Sequence, residues 1–191
     1  MNKILYAFAL AGVLGLSSCS DFLDQTSPSE MTAENTYASP YYTNLRINKL
    51  YGGMAQDRTY AQDLSIVWNL NSDCELIDGL GSNATNTSSE RGNMNYNMDP
   101  GWSKISGVWD AEYGIIEDAN QIIEGIRSSA TLTAGGANQK SMERSLGEAL
   151  TIRAMVYFDL VRIFGDIPFK VEASKSDLSN AYLEKTDRDV I

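Results

Sequence analysis

The chain has 191 residues, of which 43% are hydrophobic and 21% charged, and its formal net charge is −10. This apolar fraction is typical of a folded protein, and the length fits about one domain. The acidic balance argues against nucleic acid as a partner, because no basic excess is available to contact phosphates. The sequence contains no histidine, so a Ser-His-Asp or Cys-His site cannot be built within this chain.

The first 18 residues have the pattern of an export signal. Lys3 gives a positive charge, and an uncharged run follows from Ile4 to Leu16. Because about 20 apolar residues are needed to span a bilayer, this run fits a signal peptide better than a transmembrane helix. The run ends in a leucine, two serines and Cys19, which resembles the lipobox of bacterial lipoproteins. We therefore expect lipidation of Cys19; the alternative is an ordinary secreted protein with a cysteine at this position.

A tether and then a helical body are expected after the cysteine. Residues 19–38 are polar and lack a helical period, which predicts a flexible tether. The body over 39–191 starts with Ser39 and Pro40, a serine N-cap followed by a proline at the first helical position. This pattern predicts a helix over about 40–56.

Two longer helices are predicted over about 105–126 and 139–164, where apolar residues recur at intervals of three and four. Gly135 and Gly136 separate them, so an antiparallel hairpin is expected. The hairpin resembles one tetratricopeptide-type repeat, although no second copy occurs in the chain. Gly147 lies inside the second helix, where glycine costs about 1 kcal/mol, and it predicts a close helix crossing.

Four motifs occur in order along the chain. The first is Cys19 with the short acidic and apolar segment after it, and the second is Asn-Lys-Leu-Tyr at 48–51. The third and fourth lie on the two long helices and the turn that follows. Their characteristic residues are Trp109, Tyr113, Asn120, Glu148, Arg153, Tyr157, Gly165, Asp166 and Pro168. Together the motifs resemble the N-terminal part of the SusD/RagB family, outer-membrane lipoproteins of Bacteroidetes that capture glycans.

The resemblance implies a mainly α fold of tetratricopeptide-like helical hairpins with long loops. We interpret the motif residues as structural rather than ligand-binding. Arg153 and Glu148 are expected near the hairpin interface, where a guanidinium can tie a helix to a loop. Asp166 is expected to cap or pair beside the turn at Gly165. The aromatic and amide residues of the third motif are expected in the core and in interhelical hydrogen bonds.

Sugar rings stack on aromatic side chains and hydrogen-bond to Asn, Asp or Arg side chains. Residues of these types are concentrated around the polar stretch 71–97, which is predicted to form a long loop. In the family the segment after the first helix supplies part of the glycan site. The candidate glycan contacts are therefore Trp68, Asn69, Asn71, Asp73, Arg91, Asn93, Asn95, Tyr96 and Trp102.

The function that the resemblance implies is capture of an oligosaccharide or other nutrient at the cell surface. The family delivers its ligand to a SusC-type TonB-dependent transporter in the outer membrane and breaks no bond. No enzyme activity, cofactor, metal or nucleic-acid partner is therefore expected. The alternative is a lipid-anchored helical-repeat scaffold that binds a protein partner through a concave face. An enzymatic reading is disfavoured, because the scattered carboxylates form no defined acid/base pair.

The end of the chain predicts one more helix. Thr186 followed by Asp189 has the spacing of a capping box, and Val190 and Ile191 would begin an apolar face. Family members have several repeat hairpins and a large C-terminal part. We therefore expect residues 39–191 to be an incomplete N-terminal part of a SusD-like domain.

Overall fold

A computed structural model describes residues 31–69, 72, 101–174 and 183–191. Those residues contain five α-helices and one two-stranded antiparallel sheet, which confirms the mainly α prediction. The helices are α1 (Ala33–Ala38), α2 (Pro40–Met54), α3 (Asp63–Asn69), α4 (Ser103–Ser128) and α5 (Gly136–Phe164). The strands are β1 (Ile167–Pro168) and β2 (Lys185–Thr186).

Helix α2 begins at the predicted residue. Pro40 stands in its first turn, where a proline loses no hydrogen bond and has its φ fixed for a helix. Ser39 occupies the N-cap, but its side chain makes no capping hydrogen bond, so that expectation is wrong. Ser39 is the only residue between α1 and α2, and the turn between the helices sets its geometry. Ile47 and Leu50 of this helix are buried, whereas Tyr51 is 48% exposed.

Helix α1 corrects the end of the predicted tether. Six residues of the stretch 19–38 are helical, and the Tyr37 side chain is only 6% exposed. Its ring lies so close to Gly125 on α4 that a Cβ there would come within 2.1 Å of it. The Ser129 hydroxyl donates to the Tyr37 carbonyl at 2.6 Å. A helix this short shows no readable period, so tertiary contacts decide it. The signal peptide and Cys19 lie outside the described residues.

Helices α4 and α5 form the predicted antiparallel hairpin. Trp109 of α4 contacts Phe164 at the end of α5, with ring centroids 4.8 Å apart, and Asn120 bonds to Arg153 nearer the middle. Residue numbers therefore increase along α4 in the direction in which they decrease along α5, as in an antiparallel pair. The apolar faces of both helices pack with α2 into one core. Its fully buried members include Ile47, Leu50, Ile122, Ile126, Met142, Val156 and Leu160.

The close crossing expected at Gly147 is wrong. Among the described residues, no atom outside its own helix lies within 4 Å of the place that a Cβ would occupy, and the residue is exposed. The close approaches occur instead at Gly125 and at Gly53, where a Cβ would be 3.1 Å from Ile115. Glycine in a helix does not itself show which face of the helix it occupies.

Gly165 ends α5 with φ +72, a left-handed conformation that favours glycine. In the sheet that follows, Ile167 pairs with Thr186 and Pro168 with Lys185. The helix expected to start at Thr186 is not formed in the described residues, and Thr186 pairs with β1 instead. A single turn follows, in which the Asp187 side chain accepts from the Asp189 amide at 2.9 Å.

Candidate functional site

Three of the nine predicted glycan contacts lie among the described residues. Trp68 and Asn69 are the last two residues of α3, and Asn69 is exposed. Trp102 precedes α4 and is only 7% exposed, packed with Leu64 and Val108 in a second core. Little of its ring is therefore available to stack on a ligand, and aromatic type alone does not distinguish core from surface. The others, outside the described residues, are Asn71, Asp73, Arg91, Asn93, Asn95 and Tyr96.

Trp68 belongs to a surface group that also contains Phe158 and Arg162 of α5, here called the Trp68 cluster. The Arg162 guanidinium carbon lies 5.0 Å from the Trp68 ring centroid and 5.3 Å from that of Phe158. Phe158 is 60% exposed, whereas the Trp68 Nε1 is buried and has no hydrogen-bond partner among the described residues. The cluster therefore offers an open aromatic face beside a charged donor, which suits a sugar ring.

Phe158 and Arg162 are absent from the predicted contacts. A signal for them exists in the sequence, since Phe158 lies between the core positions Val156 and Leu160 and points away from the helix face that they define. Phe158 lies on the outer face of an amphipathic helix, four residues before Arg162. The two side chains therefore form an exposed pair with the spacing of a cation–π contact. The partnership with Trp68 needs the tertiary structure, because α3 and α5 are far apart in sequence.

Three titratable side chains lie beside the cluster. The Tyr60 hydroxyl donates to Asp159, which is 3% exposed. Glu112 is fully buried, and neither carboxylate oxygen has a hydrogen-bond partner in the described part of the chain. Burial, and secondarily the charge of Asp159, raises the pKa of Glu112 to about 8. Burial also raises the pKa of Asp159, against the opposing effects of Tyr60 and Arg162. Glu112 is therefore a neutral acid at pH 7.

Most of the motif residues on α4 and α5 hold the segment 168–172, which begins with the last residue of β1. The Asn120 amide donates to the carbonyls of Lys170 and Glu172 at 3.1 and 3.2 Å, and its oxygen accepts from Arg153 at 2.8 Å. The Tyr157 hydroxyl donates to the Lys170 carbonyl at 2.7 Å and accepts from the Lys170 amide at 2.8 Å. These side chains form their hydrogen bonds within the protein, which is typical of residues that stabilise the fold.

The other motif residues complete this arrangement with one exception. The Tyr113 hydroxyl donates to the Pro168 carbonyl at 2.7 Å, and exposed Asp166 accepts from the Arg188 amide at 3.2 Å. Glu148 lies on the other side of α5 from Arg153. It accepts from Arg144 at 2.8 Å and from Tyr51 of α2 at 3.3 Å, so its contacts lie between α2 and α5 rather than between α4 and α5.

Neither a metal-binding cluster nor a membrane-spanning helix occurs in residues 31–69, 72, 101–174 and 183–191. No group of three or more His, Cys, Asp or Glu side chains there is arranged to hold a metal ion. No helix in the same residues is long and apolar enough to cross a membrane.

A family model with the description "Starch-binding associating with outer membrane" matches residues 21–189. A SusD-like protein of Formosa agariphila is 29% identical over 180 residues, which cover 94% of this chain and 33% of that protein. A second SusD-like protein of the same organism is 23% identical over the whole of this chain and 35% of its own length. The chain therefore spans about a third of the length of these relatives.

The fold is similar to that in a crystal structure of a SusD homolog from Bacteroides thetaiotaomicron. The TM-score is 0.70 at 23% identity, and the match covers 83% of this chain and 28% of that one. The shared architecture agrees with the helical hairpin described above. Because the family model spans most of its residues, the chain belongs to the SusD-like family.

Proposed function

We propose that the protein captures glycan at the outer membrane and delivers it to a SusC-type TonB-dependent transporter without breaking a bond. The observation that carries this proposal is the family match over 21–189, whose description names starch binding and association with the outer membrane. Lipid anchoring through Cys19 and exposure at the cell surface belong to the same proposal. They are supported by the leucine, two serines and cysteine that end the apolar N-terminal run.

The Trp68 cluster is the described surface that best suits a glycan. An exposed ring can stack on the C–H face of a pyranose, and a guanidinium can donate to the sugar hydroxyls around it. Asn69 adds an exposed amide next to Trp68. The nearby carboxylates suit hydrolysis poorly, since Glu112 and Asp159 are at most 3% exposed and cannot flank a glycosidic bond.

Affinity electrophoresis tests glycan capture directly. The purified protein is run in gels that contain soluble starch, xylan or laminarin, and retardation is measured against a gel without polysaccharide. We expect retardation by at least one polysaccharide and a weaker effect in Phe158→Ala and Arg162→Ala. The control is Val190→Ala, since Val190 is 74% exposed and lies outside the cluster. A wild-type protein that none of the polysaccharides retards would contradict glycan capture.

The transporter is tested by co-purification. Extraction of native membranes in mild detergent, followed by capture of the tagged protein, is expected to recover a TonB-dependent transporter encoded beside it. A Cys19→Ala variant should lose the membrane fraction if lipid anchors the protein there. Recovery of the protein alone, from cells that express the neighbouring genes, contradicts the delivery step but leaves glycan binding to its own test.

One observation favours the alternative, a scaffold that binds protein. A groove of about 610 Å³ runs along α5 and is mostly apolar at its surface. Its apolar lining consists of Leu150, Ala154, Tyr157, Phe158, Val161, Phe169 and Ile191. Electrophoresis separates the two functions, because a protein scaffold would be retarded by no polysaccharide.

A further inference from the structure

Helix α2 exposes an unusual number of large side chains. Tyr41 is 67% exposed, Leu45 47% and Tyr51 48%, although the helix buries Ile47 and Leu50 on its inner face. An exposed group of large apolar or aromatic side chains is more informative than a single one, since such patches mark binding surfaces. The α2 surface is therefore a candidate binding surface separate from the Trp68 cluster.

A groove of about 320 Å³ lies between the start of α2 and the first half of α5. Tyr41 and Asn44 line it from α2, and Ser141, Arg144 and Glu148 line it from α5. This volume lies at the lower end of the range for small-molecule sites, about 300–1,000 Å³. The groove has room for a small ligand beside the exposed Tyr41 ring.

The polar groups of this groove are held in position before any ligand arrives. The Arg144 Nε donates to Glu148 at 2.8 Å, one helical turn along α5. The Tyr51 hydroxyl donates to the other Glu148 oxygen at 3.3 Å, across from α2. Glu148 is thereby oriented by both helices, and the charge of Arg144 offsets its own.

The composition of the groove selects a class of ligand. Because Arg144 and Glu148 are paired, the groove presents no net charge that would favour an ion. It does present donors and acceptors together, in a guanidinium, a carboxylate, an amide and a hydroxyl, and each sugar hydroxyl both donates and accepts. The Tyr41 ring adds a face for the C–H groups of a pyranose. A neutral sugar ring matches all of these features.

A continuous exposed stripe joins this groove to the Trp68 cluster. Arg144 and Arg162 are 18 residues apart, which is five helical turns, so they lie on the same side of α5 about 27 Å apart. Thr151, Met155 and Phe158 continue the stripe between them at alternating intervals of four and three, and all three are exposed.

We infer that the Tyr41–Arg144 groove is a second sugar-contact site, and that one extended neutral glycan lies along α5 from this groove to the Trp68 cluster. The inference rests on the proposed glycan capture. Two weak contacts on one polymer act together, since binding at the first raises the effective concentration at the second. Such a surface holds a polysaccharide more firmly than a short oligosaccharide.

The test compares variants in gels that contain the neutral polysaccharide by which the wild type is retarded. The double variant Tyr41→Ala/Arg144→Ala is expected to raise the apparent Kd about five- to tenfold, from the loss of one stacking contact and one charged donor. Tyr41→Phe keeps the ring and should bind as the wild type does. Arg127→Ala is the matched control, an exposed arginine outside the groove with the same change in charge.

The outcomes distinguish the inference from the function on which it rests. If Phe158→Ala weakens binding but Tyr41→Ala/Arg144→Ala does not, the second site is wrong and glycan capture stands. If only an anionic polysaccharide such as alginate is retained, the assignment of a neutral sugar is wrong. If the wild type binds no polysaccharide at all, glycan capture fails and the second site fails with it. Both altered side chains are mostly exposed, so the variants are expected to fold.

Discussion

The two sides of α5 carry the same kinds of side chain but use them differently. On the inner side, Arg153 and Tyr157 bond to Asn120 and to the backbone of 168–172. On the outer side, Phe158 and Arg162 are exposed, and their contacts leave ring faces and donors open to solvent. An aromatic or basic residue therefore indicates a binding surface in this fold only where no internal partner takes its interactions.

Removal of the Asn120 side chain tests the inner side most strongly. Asn120→Ala removes the acceptor that lies 2.8 Å from the half-buried Arg153. It also removes the donor to the carbonyls of Lys170 and Glu172. We expect a loss of about 3 kcal/mol in the free energy of unfolding, because buried polar groups would lose their partners. Urea denaturation measures the loss. Asn48→Ala, at an exposed position of α2, should change stability by less than about 0.5 kcal/mol; equal effects of the two variants would remove the contrast.

Two glycine substitutions should have opposite signs. Gly125→Ala puts a methyl group where the Tyr37 ring lies, 2.1 Å away, and should destabilise the protein by about 2 kcal/mol. Gly147→Ala adds a methyl group on the exposed face of α5 and should stabilise it by about 0.5–1 kcal/mol through helix propensity. Thermal unfolding of both variants decides the matter. Destabilisation by Gly147→Ala would show that the outer face has a close neighbour after all.

Glu112 predicts a pH dependence of stability. Its pKa is about 8 in the folded protein and 4.5 in the unfolded chain, so between these values only the unfolded state loses the proton. Stability therefore falls as pH rises from about 4.5 to 8. Glu112→Gln should stabilise the protein by about 2 kcal/mol or more at pH 8 and by little at pH 4.5; the pKa difference, at about 1.4 kcal/mol per unit, sets an upper limit of about 5 kcal/mol.

Denaturation curves at several pH values measure this effect, with exposed Glu124→Gln as the control. Asp159 and Tyr60 face Glu112, and their own titration is common to both variants. A parallel pH dependence in wild type and Glu112→Gln would show that Glu112 is ionised in the folded protein.

The smallest effect on stability is expected on the outer side of α5. Phe158→Ala removes a side chain that is 60% exposed and should change the free energy of unfolding by less than about 1 kcal/mol. The same variant should weaken retardation by polysaccharide, as proposed above. A large loss of stability instead would place Phe158 among the fold-determining residues and remove it from the candidate site.

The long helices could be predicted from the sequence because their apolar period repeats over many turns. The observed bounds Ser103–Ser128 and Gly136–Phe164 extend the predictions by two or three residues at three of the four ends, and the end at Phe164 coincides. The six-residue α1 could not be predicted, since one and a half turns carry no readable period and the Tyr37 contact with Gly125 is distant in sequence. Short elements depend on long-range packing rather than on local preference.

Less of the candidate site could be predicted. The sequence places Trp68 and Trp102 in the same polar region, but the structure buries one of them in a core and leaves the other half-buried under Arg162. Trp68 follows the apolar residues Ile66 and Val67, whereas Trp102 lies between Gly101 and Ser103, so the neighbouring residue types favour the opposite assignment. The α2–α5 groove could not be predicted from the sequence either, because Tyr41 and Arg144 come close to each other only when the hairpin packs on α2.

The mainly helical fold, the hairpin and the family could be predicted from the sequence, because they follow from hydrophobic period, glycine and proline positions and ordered motifs. Which polar and aromatic side chains form internal interactions, and which stay exposed, depends on tertiary packing. The physical reason is that a helix sequence shows which residues share a face, whereas burial depends on the elements that cover that face. Asn120 and Phe158 show the difference: Asn120 is buried and hydrogen-bonded within the protein, whereas Phe158 is exposed to solvent.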